Sequence, residues 1–292
     1  RAAVVAAALA SQFDGSRAPD IEFAPHSDGG DVGSVAGEVF EAAVETQDIP
    51  AHLLDLAREP IGAQSLLFAL LMDDQESVAH RQYQLIDAQG VRGLSNEVAK
   101  VLPAVKRLHP ARRLPLTELC LPALKSMSKG QYHRFRRTLL TLAQADRRID
   151  LYEWCLFQLV SHYLAPEFSP QRISKSRYRH ISQVRGEVSA VLSMLVWEGL
   201  STEPPETLFA IAKQALGDDG IVLQAREQLS VQSLSKAVYT LADCYPLLKP
   251  RILKAMAVAA GYDGVLSAPE REIIAAIAAI MDCPVPDVQL VQ

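Results

Sequence analysis

Five carboxylates are the residues of this chain whose type and spacing could do chemistry. Asp146, Asp150 and Glu153 share one stretch, Asp146-Arg147-Arg148-Ile149-Asp150-Leu151-Tyr152-Glu153. Asp263 and Glu270 share another far downstream, Asp263-Gly264-Val265-Leu266-Ser267-Ala268-Pro269-Glu270. Carboxylate oxygens brought together from two such turns could hold a hard divalent cation. The same residues also suit the start of a helix. Each stretch has an acid first, an aliphatic residue at +3, Asp or Ser at +4 and Glu at +7, between apolar runs. At a helix start, the +4 side chain accepts from exposed backbone N–H groups and the Glu three residues later reaches back. Caps alone account for these residue types, and neither stretch has the D-x-[DN]-x-[DN]-G order of an EF-hand loop. The cation reading stays beside the cap reading, with Asp146, Asp150, Glu153, Asp263 and Glu270 as its candidate ligands.

No other motif competes. None of the seven histidines is followed by Glu with a second His four residues on, the helical zinc-hydrolase spacing. His162 is expected on a helix at the edge of the core. The phosphate-binding patterns G-x-x-x-x-G-K-[ST] and G-x-G-x-x-G and the nucleophile elbow G-x-S-x-G are absent too. The chain therefore offers no catalytic residue and no cofactor-binding residue.

The elements that must position the carboxylates are helices. The chain has 292 residues, 49% of them hydrophobic and only 6% aromatic. This is enough to bury a real core, with a bias away from sheet. Cys120, Cys155, Cys244 and Cys283 lie far apart in apolar helical contexts without a C-x-x-C, which predicts buried free thiols. Helices are predicted near 116–127, 130–145, 151–164, 181–198, 205–216, 233–243, 249–261 and 268–282. The last is the clearest, with Ile273, Ile274, Ile277, Ile280 and Met281 on one face. Upstream, Pro50 opens a helix before His52, an apolar run from Ile61 to Met72 predicts a buried helix, and Ser77–Ile86 is its expected return partner. Pro103, Pro110 and Pro115, with Arg107, Arg112 and Arg113, read as a basic connector. Residues 166–180 read as a long exposed basic loop. The fold class is all-α, in three parts: an acidic Gly/Pro-rich linker over 1–48, a helical hairpin over 49–100, and a helical bundle over 101–292.

Charge is uneven. Residues 100–185 hold 17 Lys and Arg against 5 Asp and Glu, and the rest of the chain holds 12 against 29. Arg134, Arg136, Arg137, Arg147 and Arg148 are the candidate basic surface, facing an acidic partner or an anionic membrane, or solvated beside the chain's own acidic segments. No nucleic-acid motif accompanies them, so nucleic acid is the disfavoured partner. No apolar run approaches the roughly 18 residues of a membrane span. Residues 2–10 lack the basic start of a signal peptide. The first residue is Arg1 rather than Met, and the chain is expected to be the C-terminal piece of a longer protein.

Two half-motifs, LAQADRRIDLYEWCLFQLV (142–160) and AMAVAAGYDGVLSAPEREIIAAIAAIM (255–281), resemble the halves of a TerB-like (tellurite-resistance-type) helical domain. Together with 49–86 and 113–160, they resemble the region that follows the catalytic domain in bacterial HtpX-like membrane zinc metallopeptidases. FDG at 13–15 is similar to the end of the peptidase domain in such proteins. The resemblance covers most of 49–164 and 250–283. It implies a non-catalytic regulatory or substrate-binding region at the cytoplasmic face of the bacterial inner membrane. Its partners would be an upstream peptidase domain, protein substrates or the anionic membrane surface. Zinc would be held upstream, by residues outside this chain. At the first turn Arg147 stands where the family has Gly, as Gly264 does at the second. That departure sets a basic contact surface beside the cation reading at the first turn. The alternative is a free-standing TerB-like scaffold or divalent-metal-binding stress-response module.

Overall fold

A computed structural model describes residues 49–88, 91–145, 150–169, 175–199, 201, 203–262 and 266–285. The linker expected over 1–48 lies outside the described residues. The fold is all-α, with twelve α-helices among the described residues. These are α1 (Ala51–Ala57), α2 (Pro60–Leu70), α3 (Glu76–Asp87), α4 (Leu94–Lys106), α5 (Arg113–Leu124), α6 (Lys129–Ala143), α7 (Leu151–Phe168), α8 (Arg185–Glu198), α9 (Pro205–Leu216), α10 (Val231–Leu241), α11 (Lys249–Ala260) and α12 (Ala268–Ile280).

Local rules set most boundaries. Ser128, Asp150, Ser230 and Ser267 each open a helix with a capping box. Proline stands in the first turns of α2, α9, α11 and α12, where its missing N–H costs nothing. Gly217 ends α9 at φ 70°, a left-handed backbone that favours glycine.

Two apolar clusters form the interior. One joins α1–α6 with Leu156, Phe157, Val160 and Leu164 of α7. The other joins α8–α12 with Trp154, Cys155 and Leu159 of α7. Helix α7 is thus apolar on opposite faces and serves both cores, which explains its near-continuous burial from Trp154 to Val160. A division near residue 100 does not coincide with a gap between cores, because α1–α4 pack into the same cluster as α5–α7.

The expected return partner of the 61–72 helix also sits differently. α2 lies mainly against α4 and α5, while α3 lies against α4 and α6. Gln82 of α3 ties the ends together. Its amide donates to Leu71 O (2.7 Å) and Leu142 O (3.1 Å), and its oxygen accepts from Asp73 N–H (2.8 Å). The basic connector expected around Pro103, Pro110 and Pro115 is instead largely helical. Residues 94–106 are helical with Pro103 inside, and buried Leu94, Val98, Val101 and Val105 form the stripe that holds α4 against the core. The loop expected over 166–180 is shorter and is held at its end. α7 runs on through Pro166 to Phe168, and 177–178 are strapped to 243–245. Arg177 N–H donates to Asp243 O (2.6 Å) and Tyr245 N–H to Tyr178 O (2.8 Å).

Candidate functional site

Helices α7 and α12, which the two carboxylate-bearing stretches open, pack directly on each other. They run in the same direction. Asp150, just before α7, acts on Glu272 of α12, which acts on Tyr152 in the first turn of α7, and Asp282 beyond α12 acts on His162 in the later half of α7. The two helix starts therefore lie at one end of the pair.

At the first start, Asp150 accepts from Glu153 N–H (2.8 Å), and Glu153 accepts from Asp150 N–H (3.0 Å). At the second, one Glu270 oxygen accepts from Ser267 N–H (2.8 Å) and Ser267 Oγ–H (2.6 Å). Glu270 is buried, and Gly199, at the end of α8, lies close enough to its carboxylate that a side chain there would meet it. Asp150, Glu153 and Glu270 are accordingly engaged as caps. Asp146, Arg147, Arg148 and Asp263 lie outside the described residues. Among the described residues, no group of three His, Cys, Asp or Glu side chains is placed to hold a metal ion.

The sequence reading passed over Glu272, whose neighbours make it the most perturbed carboxyl at this end. It is buried in the α7–α12 seam. Burial pushes its pKa up to about 7; Arg113 of α5 opposes the rise and Asp150 adds to it. The Arg113 guanidinium stacks over the Tyr152 ring at 5.2 Å. Burial, with help from Glu272, holds the Tyr152 hydroxyl well above the usual phenol range, and that hydroxyl has no hydrogen-bond partner among the described residues. A carboxyl placed this way can exchange a proton near neutral pH. Among the described residues, no activated nucleophile adjoins it. Burial also raises the pKa of the neighbouring Cys155 thiol, the opposite of an activated cysteine. No local signal betrays Glu272, because its surroundings come from α5, α7 and α12.

All four cysteines are free, and Cys120, Cys155 and Cys244 are buried, as their apolar contexts predict. His162 sits half-buried on α7, and burial pulls its pKa down despite Asp282. On α6, Arg134 and Arg137 face solvent, while Arg136 lies over the Phe157 ring at 5.5 Å. Two of the three described candidate arginines are thus exposed, and the third partly packs. Among the described residues, no helix is long and apolar enough to cross a membrane. Comparison with family profiles, curated proteins and solved structures returns no match.

Proposed function

We propose that this chain is a non-catalytic regulatory or partner-binding region of the kind that follows the peptidase domain in HtpX-like membrane zinc metallopeptidases. The observation that supports this reading is the packing of α7 on α12. The two half-motifs that resemble a TerB-like domain open neighbouring, co-directional helices, as two halves of one domain would. The polar groups in the seam serve as caps or lie buried without an activated nucleophile, which suits a binding scaffold. The exposed arginines of α6 suit contact with an acidic partner or with the anionic cytoplasmic leaflet. Catalysis and zinc belong, in this reading, to the upstream domain.

The test is a mixing experiment. The chain is added to the separately expressed peptidase domain from the same reading frame, and cleavage of unfolded casein is followed. It is expected to bind that domain or to change its rate or choice of cleavage sites, while showing no peptidase activity alone. A peptidase domain that neither binds the chain nor alters its cleavage in its presence overturns the proposal.

A further inference from the structure

A groove of about 360 Å³ opens where the start of α2 meets the α5–α6 turn and the first turns of α6. Its apolar lining includes Ile61, Val91 and Met127, and its polar lining Gln64, Gln131 and Arg134. Ile61 is 51% exposed on a helix that is otherwise almost wholly buried. The size is at the small end of ligand clefts, which span roughly 300–1,000 Å³, and suits one or two apolar side chains. Arg134 lines the groove, Arg137 is exposed one turn further along α6, and neither forms an ion pair with a described residue. A guanidinium beside an apolar cleft fits a carboxylate next to an apolar side chain, because the planar fork can take both carboxylate oxygens. A flat membrane surface would use the cations but not the groove.

We infer that this groove and the exposed arginines of α6 bind an acidic peptide segment, seating an apolar side chain on Ile61, Val91 and Met127 with its flanking carboxylates on Arg134 and Arg137. The inference rests on the partner-binding reading above and names the partner's chemistry. The probe is a fluorescein-labelled peptide with a Phe-Val pair flanked by glutamates, titrated with the full chain in fluorescence anisotropy. The same peptide with glutamines in place of glutamates is run beside it. The glutamate peptide is expected to bind at least about tenfold more tightly, a difference that reads directly as its charge contacts. Arg134→Glu and Ile61→Ser, both at exposed positions, should each weaken it by about tenfold or more with the helical circular dichroism unchanged. Equal binding of the two peptides, or binding indifferent to both substitutions, overturns the inference. So does a chain that sediments with phosphatidylserine vesicles through Arg134 while ignoring the peptide, which would make the occupant a lipid. An Arg134→Glu chain that loses the peptide yet still acts on the peptidase domain separates this site from the broader reading.

Discussion

At the residue scale, the α7–α12 seam should carry a measurable proton linkage. Glu272 has a pKa near 7 in the fold against an ordinary value of 4.5. Between these values the folded chain holds a proton that the unfolded chain releases, so stability is full below about pH 4.5 and declines as pH rises towards 7. The loss is at most about 3 kcal/mol, from 1.36 kcal/mol per pKa unit. Glu272→Gln keeps the shape and removes the charge. Its urea midpoint at pH 8 is expected above that of the parent chain, and its stability should be flatter from pH 5 to 8. Parallel pH profiles for the two proteins would contradict this placement of Glu272. The caps behave differently. Asp150→Ala should cost about 1 kcal/mol, measured by denaturant titration at pH 7, because it removes the acceptor for Glu153 N–H. Asp150, Glu153 and Ser267 were legible as cap residues because a capping box is written within four consecutive residues. The environment of Glu272 was not, because Arg113, Asp150 and Tyr152 reach it only after distant helices have packed.

At the element scale, the glycines separate packing from propensity. Glycine inside a helix normally costs about 0.5–1 kcal/mol relative to alanine. At Gly62 of α2, however, an added Cβ would press on the backbone of Leu56 in α1, with the Leu56 carbonyl carbon at 2.9 Å. Gly62→Ala is therefore expected to destabilise by about 1–3 kcal/mol, since backbone cannot step aside cheaply. In α6, the nearest atom to a Cβ on Gly130 is an Arg134 guanidinium nitrogen at 3.9 Å, so Gly130→Ala should be neutral or stabilising by up to about 1 kcal/mol. Thermal melts should show Gly62→Ala lowered and Gly130→Ala unchanged or raised, and a Gly62→Ala chain that melts no lower than the parent would refute the close α1–α2 crossing. Periodicity also explains which elements could be read. The run over 268–282 announced α12 through its isoleucines. α4 was masked by Pro103 and the prolines after it, although Leu94, Val98, Val101 and Val105 keep helical spacing. Its start depends on Gly93 at φ 78°, a left-handed residue that glycine supplies without strain.

At the scale of the whole molecule, α7 joins the two apolar clusters, so they should unfold together. Trp154 and Trp197, the chain's two tryptophans, report on the α7–α12 side, while far-ultraviolet circular dichroism reports on every helix. Their denaturation curves should coincide. Phe157→Ala, which empties a position in the α1–α7 cluster, should lower both midpoints together, by roughly 3–5 kcal/mol in stability. A tryptophan curve left unmoved by that substitution would mean independent halves. The all-α class was legible from composition and periodicity, but the double duty of α7 was not, because a helix apolar on opposite faces looks in sequence like any buried helix.

Sequencing the encoding gene upstream of the codon for Arg1 is the decisive test of the proposed service to an HtpX-like peptidase. If this scaffold serves such a peptidase, the upstream frame carries an HExxH and apolar spans of about 20 residues. A start codon just before Arg1, or an upstream frame with neither feature, would contradict it.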